Sequence, residues 1–361
     1  MVRRVAKLTD DLVAEILSHL PTKSFFRFQC VSKSWFALSS DPCYHNKFPR
    51  APCGVFINVP VGRFGPPHGG RIGVQYISLS NNGDDLVIDT ALSFLRNIHN
   101  MEVISSCNGL LLCRSWVPQG GRELRTFCRS WAYVCNPATR EWVMVPKGND
   151  RYRFQYLALG FDPRISRHYH VLRVDFQEIP RFMIFSTKTN EWVVSEVSDA
   201  KEYHNPQATF FHEIFYATNG LNQVLGIDLE GRVCRRIELP VSDGIECLGH
   251  SGGYLHYMLQ GKDEIKVWML TDYCHVEWVL KHCISIRAML QKHGIPETKS
   301  IRILEFHPNV DVVFLLINPK IFSYHLSGGR LEEVYSLHHW YSRGCVVYSP
   351  RLLKGFGNEV A

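Results

Sequence analysis

Among the residues whose type and spacing could do chemistry, the sharpest set is Gly249-His250-Ser251-Gly252-Gly253. It fits Gly-x-Ser-x-Gly, a pattern that can present a nucleophilic serine on a tight turn. Asp311 followed by His325 or His338 would supply an acid and a base in the required order. Such a turn needs a strand before the serine and a helix after it. The residues that follow, Gly253-Tyr-Leu-His-Tyr-Met-Leu-Gln-Gly261, instead read as a strand ending in a turn. A hairpin is the expected structure, and a serine hydrolase acting through Ser251 is the alternative function.

The other reactive residue types do not assemble into sites. Twelve cysteines are scattered, several inside apolar runs such as Cys107-Asn-Gly-Leu-Leu-Leu-Cys113, and no two have Cys-x-x-Cys spacing. Reduced thiols packed as small hydrophobes are expected, with no zinc site. Seventeen histidines include the pair His338-His339, but neither His-Glu-x-x-His nor a phosphate-binding or dinucleotide glycine loop is present. The sequence therefore supports binding over catalysis and calls for no cofactor.

At 361 residues, with 45% hydrophobic and 20% charged residues, the chain has the composition of a folded protein larger than one typical domain. Its apolar runs are far shorter than the roughly 20 residues that span a bilayer, and no apolar leader follows Arg3, Arg4 and Lys7. A cytoplasmic or nuclear location is expected, without a membrane partner. The net charge of +6 is uneven: residues 1–50 hold eight Lys/Arg against four Asp/Glu, and residues 114–173 eleven against four. No nucleic-acid motif accompanies these charges, so nucleic acid is disfavoured as a partner. If Arg122, Arg125 and Arg129 lie near Arg151, Arg153, Arg164 and Arg167, they form a basic face suited to an acidic or phosphorylated segment.

The elements that must position these residues fall into two groups. Thr9-Asp10-Asp11 ahead of Leu12 to Leu20 reads as a capped helix stopped by Pro21. Leu8, Leu12, Ile16 and Leu20 recur every four residues, while Val13 and Leu17 form an adjacent stripe. Thr22 can start a second helix through Phe25 and Val31, and Ser32 a third containing Trp35. About forty residues cannot hide so many large apolar side chains among themselves. A helical module with surplus apolar surface reads as a docking site.

Beyond Phe48, short Val-, Ile-, Tyr- and Phe-rich segments alternate with Gly/Pro turns, and Pro60 to Arg71 reads as an exposed loop. Asn136-Pro-Ala-Thr-Arg-Glu-Trp142 and Ser186-Thr-Lys-Thr-Asn-Glu-Trp192 place their tryptophans 50 residues apart. Weaker copies begin at Asp228, Leu270 and Tyr324. Each reads as strand, polar turn, strand, at the period of propeller blades, with the tryptophans packed between blades.

Residues Leu8 to Ser24, followed by Arg27-Phe-Gln-Cys-Val-Ser-Lys-Ser-Trp35, resemble the F-box of plant F-box proteins over about forty residues. Cys107-Asn-Gly-Leu-Leu-Leu-Cys113, Asn136-Pro-Ala-Thr and Leu159-Gly-Phe-Asp162 more loosely resemble the F-box-associated, kelch-like domain that follows it. The resemblance implies an α+β multidomain protein: a three-helix F-box over 1–48, an all-β propeller-like domain of six or seven degenerate blades over 49–350, and a C-terminal tail over 351–361. It further implies binding to a Skp-family adaptor, and through it a cullin, by Leu8, Leu12, Ile16, Leu17, Leu20, Pro21, Phe25, Val31 and Trp35. The implied role is a ubiquitin-ligase substrate receptor for a protein whose identity the sequence does not give.

Overall fold

The computed structural model describes residues 8–20, 24–25, 28, 32, 34–35, 38, 54–61, 71–79, 88–95, 100–118, 128–147, 155–175, 181–195, 197, 207–241, 244–273, 276–297, 299–308, 310–337, 345–351 and 355–356. Helix α1 runs Asp10–Ser18, begun by Thr9 in an extended conformation with Asp10 and Asp11 in the first turn. Thr9 acts through its backbone: its carbonyl accepts from the Val13 amide at 3.0 Å, while its side chain makes no capping bond. Helical positions recur at 24–25, 28, 34–35 and 38, and Pro21, Thr22 and Val31 lie outside the described residues.

The remaining described chain forms six antiparallel sheets. Gly54–Val61 (β1) and Arg71–Ser78 (β2) begin the first blade. Blade 2 comprises Asn100–Cys107 (β3), Leu110–Pro118 (β4), Cys128–Asn136 (β5) and Glu141–Met144 (β6), and blade 3 Gln155–Gly160 (β7), His170–Asp175 (β8), Arg181–Ser186 (β9) and Glu191–Val194 (β10). Blade 4 follows with Ala208–Phe211 (β11), Ile214–Thr218 (β12), Gln223–Ile227 (β13) and Val233–Glu238 (β14). Blade 5 has Ile245–Ser251 (β15), Tyr254–Gln260 (β16), Glu264–Asp272 (β17) and Glu277–Ser285 (β18), and leads into a helix, Ile286–Lys292 (α2). Blade 6 is Ile301–Phe306 (β19), Val312–Ile317 (β20), Lys320–His325 (β21) and Arg330–Ser336 (β22).

Cys345–Tyr348 (β23) then pairs with β1, so the first blade is built from both ends of the domain and the ring closes. This fixes the expected six or seven blades at six. The innermost strands β3, β7, β11, β15, β19 and β23 each neighbour the next around the ring. Apolar clusters fill every junction; one joins β1 and β23 to blade 2, and another joins them to blade 6. Second strands lie between two neighbouring blades, so β8 and β20 are buried along their whole length, whereas the outer strand β6 alternates half-buried and exposed residues.

Successive connections alternate between the two ends of the blades. The lower rim carries the turns after β3, β5, β7, β9, β11, β13, β15, β17, β19 and β21. The β3–β4 turn is Asn108-Gly109 with both φ values positive, the geometry that tight hairpins require. The chain also enters at this rim, because Gly54 pairs with Tyr348 at the end of β23. The long links between β4 and β5 and between β6 and β7 leave from the opposite, upper rim, as does α2. Ser285 caps α2 by accepting from the Ala288 amide at 3.3 Å, and Gly294 (φ 64) follows its end.

Candidate functional site

The first candidate surface is on α1. Val13, Ala14 and Leu17 turn inward onto Phe25 and Leu38, with Leu20 and Trp35 packed against them. Leu17 is only 2% exposed. Leu8, Leu12 and Ile16 point the other way, and Leu12 and Ile16 are each 53% exposed. Of the nine residues expected at the adaptor, these three form an outward stripe, while Leu17 and Phe25 are internal supports. Pro21 and Val31 fall outside the described residues.

The second candidate is the propeller's central ring. An innermost strand has no backbone partner on its channel side, so its amides and carbonyls need side chains. Adjoining blades supply them at five of the six junctions, and between blades 4 and 5 two side chains meet instead. Asn58 donates to the Val103 carbonyl at 2.9 Å and accepts from the Val103 amide at 2.8 Å. Ser105 accepts from the Leu159 amide at 3.3 Å, and the Tyr156 hydroxyl accepts from the Ala208 amide at 3.2 Å. Thr209 Oγ1 lies 3.0 Å from His250 Nδ1. Ser251 donates to the His307 carbonyl at 2.8 Å, and Glu305 Oε2 accepts from the Val347 amide at 2.7 Å. Burial moves the titratable members toward neutrality: Tyr156 is pushed up to about 12, Glu305 up to about 8 and His250 down to about 4.

This ring answers the hydrolase alternative. Ser251 ends β15, Gly252 and Gly253 make a hairpin turn, and β16 follows where an elbow needs a helix. Its hydroxyl is committed as a donor to backbone carbonyls. Asp311 lies 3.6 Å from His282, and His325 lies 3.3 Å from Glu332. His338 is outside the described residues. The described members of the proposed triad do not assemble.

The arginines expected on one face divide between the rims. Arg164 and Arg167 sit on the β7–β8 connection at the lower rim, where Asn108 of the β3–β4 turn donates to the Phe161 carbonyl at 2.7 Å. Arg164 is held there by Asp162, with Nε 2.9 Å from Oδ1. Arg129 is at the upper end of β5; Arg122, Arg125, Arg151 and Arg153 lie outside the described residues. Among the three described arginines, Arg164 and Arg167 therefore lie at the opposite end of the blades from Arg129. The structure instead gathers Arg114, Lys147 and Arg173, with Trp131 and Trp192, around a cleft between blades 2 and 3. Sequence reasoning missed these residues because they come from separate strands of two sheets.

The repeat tryptophans also differ. Trp192 donates to the Pro146 carbonyl at 3.1 Å and Trp278 to the Glu238 carbonyl at 2.8 Å, each tying an outer strand to the preceding blade. Trp142, expected to pack likewise, is largely exposed and meets only Tyr133 edge-on among the described aromatic rings.

A short helical module with an outward apolar stripe is thus joined to a six-bladed propeller. Residues 6–47 match the F-box domain and residues 72–219 the F-box associated beta propeller domain. The chain is an F-box protein with an F-box-associated propeller, and the structure extends that propeller beyond the matched segment, from Gly54 to Tyr348. F-box protein At5g49610 of Arabidopsis thaliana is 26% identical over 367 residues, covering 92% of each chain. F-box protein At5g03970 from the same plant is 24% identical over 370 residues, covering 90% of this chain and 82% of that one. F-box protein At5g07610, also of Arabidopsis thaliana, is 28% identical over 202 residues, covering 54% of this chain and 41% of that one.

Proposed function

We propose that this protein is a substrate-receptor subunit of a Skp–cullin–F-box ubiquitin ligase, acting in the cytoplasm or nucleus by binding rather than by catalysis. The observation that carries the reading is the exposed stripe of Leu8, Leu12 and Ile16 on a helix whose other face is buried, within the segment that matches the F-box. A Skp-family adaptor would cover the stripe, and the upper rim of the propeller would hold a protein substrate. Tethering raises the effective concentration of substrate lysines around a ubiquitin-charged enzyme without chemistry in this chain.

The test is co-purification with a Skp-family adaptor. Fully burying one Leu or Ile side chain contributes about 1.5–3 kcal/mol, and about half of Leu12 and Ile16 remains to be covered. Leu12→Asp with Ile16→Asp should therefore weaken adaptor binding by on the order of 100-fold, since each 1.4 kcal/mol is tenfold. Both positions face outward, so the circular dichroism of the variant should match the parent. Undiminished adaptor capture by the folded variant would refute the assignment.

A further inference from the structure

We propose that the cleft between blades 2 and 3 is a carboxylate-binding pocket that anchors an acidic side chain of a partner protein. The proposal rests on the receptor reading and gives the upper half of the propeller a substrate chemistry.

Strand register brings the pocket together. Arg114 on β4 is opposite Glu102 on β3 and Ala132 on β5, which places it midway along blade 2. Lys147 follows β6 at the upper end, and Arg173 is two residues from the upper end of β8. Cations 59 positions apart in sequence thus share one cleft.

Aromatic rings and carboxylates hold these cations in place. The Lys147 ammonium stands 5.0 Å from the centre of the Trp131 ring, and the Arg173 guanidinium 5.8 Å from that of Trp192. Arg173 Nε donates to Asp175 at 2.6 Å within a fully buried pair, and Arg114 Nε donates to Glu102 at 2.8 Å. Two of the three cations therefore have carboxylate partners, whereas Lys147 has none among the described residues. Among the described residues one positive charge therefore remains, beside a wall formed by Val145 and Leu157. An anion is the complementary ligand for that charge.

Size selects the anion. The cleft has about 30 Å³ of free space, room for about two water-sized groups. A carboxylate, with three heavy atoms, is a smaller guest for this space than a phosphate group with five. Trp131 and Trp192 line the cleft, where the aliphatic stem behind a carboxylate would pack.

The experiment titrates the full-length chain with acetyl-tetraglutamate amide, its tetraglutamine analogue, acetate and inorganic phosphate, following tryptophan fluorescence because Trp131 and Trp192 line the cleft. Tetraglutamate should bind saturably and more tightly than acetate, and tetraglutamine should give no saturable change. Lys147→Glu should weaken tetraglutamate at least tenfold, and Lys147→Arg should retain it. Lys147 is exposed, so neither variant threatens the fold. No saturable response to either carboxylate, unchanged affinity in Lys147→Glu, or phosphate binding more tightly than acetate would overturn the pocket. Acetate binding as tightly as the peptide would overturn its assignment to a protein side chain. Adaptor capture, measured on the same samples, should be unchanged by Lys147→Glu. Failure of adaptor capture by the parent chain with tetraglutamate binding intact would remove the receptor reading and leave the pocket.

Discussion

Phe356 gives the most direct test of how the propeller is held closed. After β23 the chain crosses the lower rim of blades 2 and 3. Asn136 donates to the Arg351 carbonyl at 2.9 Å, the Gly355 amide donates to Glu141 at 3.1 Å, and Phe356 is only 5% exposed in the core of those blades, its ring 6.1 Å from that of Tyr169. The strap also explains a glycine: a Cβ on Gly109 would lie 2.6 Å from the Arg351 Cβ. Phe356→Ala deletes a buried ring, a change that costs about 3–5 kcal/mol in a core. A segment outside the blade strands can detach without global unfolding, which places the expected loss at the lower figure, about 3 kcal/mol. At roughly 2 °C per kcal/mol for a domain of this size, Tm should fall by about 6 °C. Thermal unfolding of the full chain measures it, with Ile165→Ala as the control. Ile165 is exposed on the same rim and should change stability by less than about 0.5 kcal/mol. If Phe356→Ala melts with the control, the strap contributes nothing and the argument from burial is refuted.

Two further outcomes concern the ring. A Cβ on Gly160 would come within 2.6 Å of Phe215 and 2.7 Å of Phe210, so Gly160→Ala should force β7 away from blade 4 and cost about 1–3 kcal/mol in urea unfolding; unchanged stability would show that the junction has slack. Burial raises the Glu305 carboxyl to about 8, above an unfolded value near 4.3, so the folded state holds the proton more tightly and stability falls as pH rises from about 4.5 to 8. Glu305→Gln keeps an acceptor for the Val347 amide and cannot ionise, so its Tm should exceed the parent's at pH 8.5 and match it near pH 5. An equal difference at both pH values would count against the buried carboxyl.

The blade architecture was legible because a backbone requirement repeats. Arg140, Asn190, Gly231 and Gly329 all have positive φ near the end of a third-to-fourth-strand turn, and the sequence motifs at Asn136, Ser186, Asp228 and Tyr324 are those turns. The blade number stayed open because blade 1 is split between the two ends of the domain and leaves no copy of the motif. Helix α2 had its signals in Ser285 and Gly294, but they lay within a long series of strands. The ring bonds could not be read at all, since Asn58, Ser105, Tyr156, His250, Ser251 and Glu305 follow no common residue type or spacing. On α1 the periodic stripes were plain, yet only packing separated the inward Leu17 from the outward Ile16.

Chain direction imposes a division of labour that counting charges along the sequence does not reveal. The chain enters at Gly54 and leaves along the strap on the lower rim, where short turns, the strap and the Asp162–Arg164 pair hold the surface in place. The upper rim has the long connections, α2 and the Arg114–Lys147–Arg173 cleft. Blade strands of six to nine residues at about 3.3 Å per residue separate the rims by roughly 20–30 Å. In the proposed receptor, variation in the upper connections can therefore change what is bound without touching the residues that close the ring or the helix that meets the adaptor.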